Sequence, residues 1–292
     1  MKRVIVPGTL PTGDLHQYLL GTVAPRPIAL VSTVDAEGRS NLAPYSFFNA
    51  FSSNPPILVF SSNRRVEDNT TKDTLHNVRA TGECVVNAVS YSIVRQMMLC
   101  SVELPAGVSE FDWSGFTEVR GEVVAAPLVA ESPVNLECKV ANIITLGEHG
   151  GAGHLIVCEV LRIHIREDVL DANGKIDPHR IDLVGRMGRA FYVRASGDAV
   201  MAMPQTQKLP VVGYPGLPEH VRQSLQLSAN DVATLAGGHS FPGRDEARLE
   251  VMGNPILAPC LTWPLEEIHR KASELIRAGD AEWAARLLAS IG

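Results

Sequence analysis

Three consecutive residues, Lys72, Asp73 and Thr74, offer the clearest chemistry in the sequence. They stand at the predicted start of a helix that runs to Thr81, where the first backbone N–H groups have no partner within the helix. A lysine ammonium, a threonine hydroxyl and these free N–H groups together suit a phosphate monoester. The same triplet is also typical of a solvated helix cap, with Asp73 or Thr71 as the capping residue. The ligand interpretation therefore depends on the residues upstream.

A segment without a charged side chain lies upstream, between Arg39 and Arg64. Its prolines and asparagines exclude a membrane span, because lipid would leave backbone and side-chain polar groups unpaired. Two interpretations stay open. In the first, the segment is a buried strand and loop whose phenylalanines, Phe47, Phe48 and Phe51, are core residues. In the second, its hydroxyls and amides hydrogen-bond a ligand. Combined with the triplet at Lys72, the second interpretation predicts a flat heteroaromatic ring that carries a phosphate, which matches FMN.

The totals of the chain exclude some classes of partner. Its 292 residues suffice for one compact domain with a tail, or for one and a half domains. With 26 basic and 32 acidic residues, the chain lacks the positive charge that nucleic acid binding requires. The five cysteines are scattered without a CxxC spacing, which predicts small buried thiols rather than disulfides or a zinc knuckle. The apolar stretch after Arg3 is too short for a signal peptide, so we expect a cytoplasmic protein.

The glycine-rich stretch Gly147–Gly153 is a weak candidate for a dinucleotide-binding loop. It lies between two predicted strands rather than before a helix, so a phosphate would meet no helix N-terminus. We therefore interpret it as a long hairpin loop. The nearby His149 and His154 have no carboxylate or cysteine at a zinc spacing, and the HExxH and GxSxG motifs are absent. The sequence thus predicts neither a metal site nor a serine nucleophile.

Strand patterns dominate the first two thirds of the chain. An apolar run over 28–34 and a turn at 35–38 predict a hairpin opening. From Val134 to Val140, and again from Leu161 to Arg166, apolar and polar residues alternate, which is typical of a strand with one solvent-exposed face. Many strands with few helices favour an antiparallel barrel or sandwich. Further strands are predicted over 56–61 and 83–90, and a short helix over 93–99.

The pattern changes after Arg194. Proline and glycine pairs between Met203-Pro204 and Phe241-Pro-Gly243 interrupt any periodicity and predict an irregular stretch. From Leu265 onward, two helices are predicted, separated at Gly279, with Asp280 capping the second. We therefore divide the chain into a domain over residues 1–203 and an extension over residues 204–292, in which a Pro/Gly-rich segment precedes two helices.

Several motifs together resemble the flavin reductase-like FMN-binding split-barrel family, and within it the flavoredoxin-type branch. They follow each other in the family's order and spacing: Pro25-Arg-Pro-Ile-Ala-Leu-Val-Ser-Thr-Val, Gly38-Arg-Ser-Asn-Leu-Ala-Pro-Tyr-Ser-Phe-Phe-Asn-Ala, Asn54-Pro-Pro, Lys72-Asp-Thr-Leu and Thr81-Gly-Glu-Cys-Val-Val-Asn. The resemblance extends from Asp14 to Met203 and includes a closing motif at 185–192. It implies a mainly β fold, a six-stranded Greek-key split β-barrel with flanking helices, and a homodimer with FMN near the subunit interface.

The resemblance also implies where the flavin binds. Backbone amides from Asn41 to Ala43 would reach the pyrimidine edge of the ring, and Ser46, Lys72 and Thr74 would bind the phosphate. The Arg26 guanidinium would bind phosphate bidentately or form a surface ion pair. Phe47 and Phe48 would be flavin contacts or core residues. The nicotinamide-contacting histidine of related short-chain reductases has no counterpart at the matching offset. The implied flavin-binding residues are Arg26, Ser32, Thr33, Asn41, Leu42, Ala43, Pro44, Ser46, Phe47, Phe48, Asn49, Lys72, Asp73 and Thr74.

The family resemblance implies an FMN-dependent oxidoreductase that accepts hydride from NADH or NADPH on flavin. The cofactor carries the chemistry, so no catalytic acid or base of the protein is required. In one hypothesis, free flavin is the substrate and is passed, once reduced, to a partner monooxygenase. In a second, FMN stays bound and reduces a nitroaromatic, a quinone, a ferric complex or an electron-transfer protein. In a third, the protein is a flavoredoxin-type electron carrier.

Overall fold

The computed structural model describes residues 2–105, 108–203 and 210–291. The chain divides into two compact units, Met1–Met201 and Ala202–Gly292. The predicted boundary after residue 203 borders on residues 204–209, which include Pro204 and Leu209 and lie outside the described residues. In the described parts of the chain, no helix is both long enough and apolar enough to cross a membrane.

The first unit is built on one large antiparallel sheet. Its strands are β1 (Ala29–Val34), β2 (Ser40–Tyr45), β3 (Phe48–Ser53), β4 (Pro56–Ser61), β5 (Glu83–Ala88), β8 (Val134–Thr145) and β9 (His154–Ile165). Two short ribbons accompany it, β6 (Glu118–Val119) with β7 (Leu128–Val129) and β10 (Val184–Arg186) with β11 (Tyr192–Arg194). The helices of this unit are α1 (Thr12–Thr22), α2 (Asp73–Thr81), α3 (Val94–Leu99) and α4 (Glu110–Ser114).

The strand order closes the sheet on itself. Neighbours run β2-β1-β5-β8-β9-β4-β3, so β2 and β3 lie at opposite edges. Only Ser46 and Phe47 separate these two strands in the chain, and so short a connection forces the two edges of the sheet together. The predicted mainly β fold with flanking helices is confirmed. The described sheet has seven strands with β2 and β3 counted separately, and the number of six barrel strands stays a prediction.

The core of the first unit lies on both faces of β1. Val31, Phe60 and Ile156 are fully buried in a cluster that α2 covers through Leu75. Leu30, the neighbour of Val31, points to a second cluster that is closed by α3 and α4. A strand buried on both faces reads as a continuous apolar run, which explains why β1 has no alternation.

The prediction that one face of β8 is exposed to solvent is wrong. Asn135 and Glu137 are buried, and the Glu137 side chain is fully inaccessible. Its carboxylate accepts hydrogen bonds from the backbone N–H groups of Val123 (2.7 Å) and Val124 (3.0 Å) and lies 2.6 Å from His164 Nε2. The connection before β8 covers this face, and the partnered carboxylate behaves as a core residue because its hydrogen bonds are satisfied.

The prediction for the second alternating strand is also wrong. On β9 the apolar residues Leu161, Ile163 and Ile165 are 47%, 53% and 38% exposed. The side chain between the last two, His164, is instead the one that reaches the buried Glu137. The alternation correctly indicates two different faces, but it does not say which of them the protein buries.

Glu137→Gln is expected to lower the free energy of unfolding by about 1–3 kcal/mol at pH 7, because the amide nitrogen cannot accept the bonds that the carboxylate accepts. Burial alone would raise the pKa of Glu137, but hydrogen bonds, those from Val123 and His164 foremost, hold this pKa below the ordinary value of 4.5. A lowered folded pKa gives stability that is present above pH 4.5 and is lost as the pH falls through the folded value. Urea unfolding of both proteins between pH 7 and pH 3 should therefore converge at the acid end. A difference in unfolding free energy that does not change with pH would contradict the role of the ionised Glu137 carboxylate. The control is Glu159→Gln, at a carboxylate without a hydrogen bond to any described residue.

The second unit is helical. The two predicted helices are present as α8 (Leu265–Arg277) and α9 (Ala281–Ala289), and the Asp280 side chain accepts a hydrogen bond from Trp283 N, as a cap does. Sequence reasoning missed α5 (Glu219–Arg222), α6 (Ala229–Ala236) and α7 (Arg244–Gly253). Gly237-Gly238 and Phe241-Pro-Gly243 lie between α6 and α7, and Tyr214-Pro-Gly-Leu-Pro218 lies before α5. The predicted irregular stretch therefore contains three helices within the described residues.

Candidate functional site

Lys72 carries a half-buried cation without a hydrogen bond or ion pair, next to Tyr45 of β2. It precedes α2 as its N-cap residue, and its side chain makes no cap hydrogen bond. Its ammonium lies 5.1 Å from the centroid of the Tyr45 ring and forms no hydrogen bond or ion pair with any described residue. Burial, and then the charge of Arg65, lower the pKa of Lys72. The predicted caps do not act as caps: Asp73 is exposed, and the Thr71 hydroxyl is bonded to His76 Nε2 at 2.8 Å.

Three hydroxyl groups meet at Tyr45, whose ring lies against the Lys72 ammonium. Tyr45, Ser62 and Thr74 are 5%, 1% and 1% exposed, and the Ser62 and Thr74 hydroxyls lie next to the Tyr45 phenol. Burial raises the pKa of Tyr45 to about 12, so the phenol keeps its proton at neutral pH. Tyr45 Oη and Ser62 Oγ have no hydrogen-bond partner among the described residues. We call Tyr45, Ser62, Lys72 and Thr74 the Lys72 cluster.

The unpaired atoms of the Lys72 cluster indicate a ligand. A buried polar atom without a partner costs about 1–3 kcal/mol, so native proteins contain few of them. Two such atoms beside an unpaired ammonium match a group that accepts several hydrogen bonds and carries negative charge. The Thr74 hydroxyl also accepts a hydrogen bond from Asn41 Nδ2 at 3.1 Å, which ties the cluster to β2.

One backbone amide predicted to meet the ligand is already bonded. The N–H of Leu42 donates to the carboxylate of Glu110 on α4 at 3.1 Å. Burial raises the pKa of Glu110. The neighbouring Ala43 packs against the core cluster beneath β2, as does Phe48. The edge of β2 is therefore partly occupied by the protein itself, and Phe48 is partly buried against the core.

Two predicted residues are deeply buried. Ser32 and Thr33 are both completely inaccessible. The Ser32 hydroxyl donates to the carbonyl of Pro127, and the Thr33 hydroxyl accepts from Asn77 Nδ2 at 3.0 Å. A ligand would have to displace these bonds to reach either side chain.

The Arg26 side chain is buried and bonds to backbone carbonyls rather than facing solvent. Its side chain is 4% exposed. It donates to the carbonyls of Leu20 (2.7 Å), Val23 and Met187 (3.1 Å) and weakly to Ser46 Oγ (3.5 Å). The predicted alternative of a surface ion pair is wrong. Leu20 and Val23 belong to the end of α1, where carbonyls lack helical partners, and the guanidinium supplies these partners.

The structure thus separates the predicted phosphate ligands into two groups. Ser46 lies with Arg26, whose guanidinium is 5.9 Å from the Phe47 ring centroid, and this ring meets His16 edge-on at 5.9 Å. Lys72 and Thr74 lie in the other group. Of the remaining predicted residues, Pro44 is half-buried, and Asn49 is exposed with its side chain bonded to the N–H of Ala50.

Sequence reasoning missed Tyr45 and Ser62. Both lie inside the uncharged segment between Arg39 and Arg64, so the segment was informative but its deepest polar residues were not distinguished. One signal was available: Asn41 and Tyr45 are four positions apart on β2 and share one face of the strand.

The glycine-rich stretch is a hairpin loop, as predicted, because it joins β8 to β9. Glycine is required where the loop touches the segment after β4: a Cβ at Gly150 would lie 2.9 Å from the carbonyl oxygen of Val66. His154 is buried, with Nδ1 3.1 Å from the Ser62 carbonyl oxygen. Among the described residues, no three His, Cys, Asp or Glu side chains are placed to hold a metal ion. All five cysteines are buried and free, as predicted.

The fold and the site together define a class: a closed antiparallel β-barrel with flanking helices and a buried polar site that carries an unpaired cation. Residues 21–180 match the family model for the flavin reductase like domain. The chain belongs to this family, and it is a flavin-related oxidoreductase.

Relatives match about two thirds of the chain. An uncharacterized protein from Aquifex aeolicus is 38% identical over 187 residues, which are 64% of this chain and 93% of that protein. The protein YwrF of Bacillus subtilis is 32% identical over 194 residues, covering 65% and 94% of the two chains.

Solved structures confirm the fold. Component B of nitrilotriacetate monooxygenase from Bacillus cereus is 29% identical with a TM-score of 0.63, over 72% of this chain and 99% of that chain. The 2-nitrobenzoate 2-nitroreductase NbaA from Pseudomonas fluorescens is 28% identical with a TM-score of 0.63, over 72% and 100%. Flavoredoxin of Desulfovibrio vulgaris (Miyazaki F), 23% identical over 71% and 97% of the two chains with a TM-score of 0.53, shares the fold.

Proposed function

We propose that the protein binds FMN, with the phosphate in the Lys72 cluster, and oxidises NADH or NADPH. Two observations together carry the proposal: the unpaired Lys72 ammonium lies against the Tyr45 ring, and the hydroxyls of Tyr45 and Ser62 are buried without a partner among the described residues. The oxygens of a phosphate would accept hydrogen bonds from these donors, and the ammonium would stabilise the negative charge of the phosphate. The family match and the FMN-binding protein among the structural neighbours support flavin as the ligand.

Each residue of the cluster has a role in this proposal. Lys72 neutralises the phosphate charge, and Tyr45 and Ser62 donate their unused protons to its oxygens. Thr74, held by Asn41, completes the donor set. Neutral residues of β2 leave the ring without a competing charge. Bound FMN supplies the hydride-accepting chemistry, and the protein supplies binding and orientation.

Two further proposals concern the electron acceptor. Similarity to component B of a monooxygenase favours a reductase that serves a partner monooxygenase. Similarity to a 2-nitrobenzoate nitroreductase favours bound FMN that reduces a nitroaromatic directly. The sequence suggests two other acceptors, a quinone and a ferric complex. It also suggests electron transfer of the flavoredoxin type.

We also propose that the first unit, residues 1–203 by the sequence division, forms the FMN-binding domain of a homodimer. Exposed apolar side chains on one face of β9 support this, because large apolar patches on a protein surface mark association sites. They are Leu161, Ile163 and Ile165, which are 38–53% exposed. Residues 204–292 are an extension outside the family match.

Anaerobic titration tests the proposed function. FMN-loaded protein should lose its yellow colour on addition of NADH or NADPH. Persistent colour with both donors would contradict the reductase proposal and leave an electron carrier. Stimulation of nicotinamide oxidation by added free FMN would favour the diffusible-flavin reductase. Turnover of 2-nitrobenzoate without such stimulation would favour the nitroreductase.

A further inference from the structure

A cleft lies along one face of α1, apart from the Lys72 cluster. It has a volume of about 730 Å³, which is nucleotide-sized. We call it the α1 cleft. Its walls are one face of α1, the N-terminal segment and the turn before β11, and its lining residues include Arg3, Asp14, Gln17, Tyr18, Arg189 and Phe191.

The α1 cleft and the Phe47 side of the barrel use opposite faces of α1. At 100° per residue, Asp14, Tyr18 and Gly21 share one face of the helix. His16, which meets the Phe47 ring, and Leu20, whose carbonyl accepts from Arg26, share the other face. A helix is about 10 Å across with its side chains. The α1 cleft is therefore not a continuation of the space beside Phe47.

The charge of the α1 cleft is positive. Arg3 and Arg189 both line it, and neither guanidinium has a hydrogen bond or ion pair with any described residue. Asp14 is the one carboxylate among the lining residues. Guanidinium groups bind phosphate oxygens bidentately.

The backbone fixes Arg189 at the rim of the α1 cleft. Arg189 has a φ of 54°, a left-handed conformation that is uncommon for residues other than glycine. Two hydrogen bonds close the turn around it, Met187 N to the Phe191 carbonyl (2.9 Å) and Phe191 N to the Gly188 carbonyl (3.2 Å). Gly188 packs directly on the helix, since a Cβ there would lie 3.1 Å from Gly21 Cα. The turn therefore holds Arg189 against the cleft in a strained conformation, as binding loops often do.

Two aromatic rings complete the lining. Tyr18 and Phe191 are 42% and 66% exposed. Exposed aromatic rings next to unpaired arginines match a ligand with a flat ring and a phosphate.

We propose that the α1 cleft binds a nucleoside phosphate, with the base against Tyr18 and Phe191 and the phosphate on Arg3 and Arg189. The site is separate from the Lys72 cluster. Its ligand has two sources: the adenosine end of NADH or NADPH, which rests on the proposed function, or a free nucleotide, which does not.

The test uses the full-length protein saturated with FMN and titrated calorimetrically with 2′,5′-ADP and with 5′-AMP. One equivalent should bind. Arg3→Gln and Arg189→Gln should each weaken binding about tenfold, the effect of losing one charge-assisted contact. Glutamine has a Cβ as arginine does, so Arg189→Gln leaves the backbone strain at position 189 unchanged. Arg95→Gln, at an exposed arginine outside the cleft, should have no effect.

The probes also separate the two sources. Tighter binding of 2′,5′-ADP supports the adenosine end of NADPH. If the two probes bind equally, displacement of 5′-AMP by excess NAD⁺ supports the adenosine end of NADH, and no displacement supports a free nucleotide. The proposal is overturned if neither probe binds, or if the cleft variants bind as the wild type does. It is equally overturned if Arg189→Gln releases FMN, because the α1 cleft would then belong to the flavin site.

Discussion

A protein with Lys72→Met and Thr74→Val is expected to bind FMN at least about a hundredfold more weakly than the wild type, because two phosphate contacts, one of them charged, are lost. The substitutions keep side-chain volume, so the barrel should fold normally. Thr74→Val also releases Asn41 Nδ2, which contributes to the loss through β2. Flavin fluorescence during titration measures the affinity. Lys175→Met, at an exposed lysine in a turn, is the matched control.

The unpaired hydroxyls give this prediction a second readout. Tyr45→Phe removes a buried oxygen that has no partner among the described residues. The flavin-free variant should therefore be more stable than the wild type by about 1 kcal/mol, while its affinity for FMN falls. Stability and affinity would move in opposite directions. Undiminished FMN affinity in both variants would show that the phosphate lies elsewhere.

Arg26→Met is expected to lower the free energy of unfolding by about 3 kcal/mol or more, because three carbonyl oxygens lose a charged donor in a buried place. The three carbonyls belong to Leu20, Val23 and Met187. The end of α1 should then detach from the barrel, and chemical denaturation measures the loss.

Arg26→Lys separates the structural role from a ligand role. A lysine keeps the charge but lacks the planar fork that reaches several carbonyls at once, so this variant should also be destabilised. A direct phosphate ligand would behave differently. Wild-type stability with lost FMN affinity in Arg26→Met would contradict the structural role and restore the prediction that Arg26 binds phosphate.

The sequence predicts the barrel well where local chemistry decides the structure. The hairpin turn before β2 and the Asp280 cap follow from turn and cap residues, and the structure has them. The predicted bounds of α2 are also correct, although its predicted caps are not. It fails where burial depends on distant segments. Glu137 is buried because the stretch around Val123 and Val124 covers it, and no pattern within β8 announces that cover.

The candidate site shows the same division. Lys72 and Thr74 were predicted because they are close in sequence at a helix start. Tyr45 and Ser62 join them only through the packing of β2 and the end of β4 against α2, so their roles emerged with the fold. Arg26 is predicted to bind phosphate or to form a surface ion pair, and in the structure its guanidinium donates to carbonyl oxygens. Charge alone does not distinguish these two acceptors.

Comparison of FMN with riboflavin, which lacks the phosphate, tests the central claim most directly. Dissociation constants of both ligands are measured for the wild type and for the variant with Lys72→Met and Thr74→Val. The wild type should prefer FMN by about a hundredfold, and the variant should bind the two ligands within about threefold of each other. Comparing two ligands in two proteins isolates the contribution of the phosphate contact, as a double-mutant cycle does. An unchanged preference for FMN in the variant would contradict a phosphate site at the Lys72 cluster.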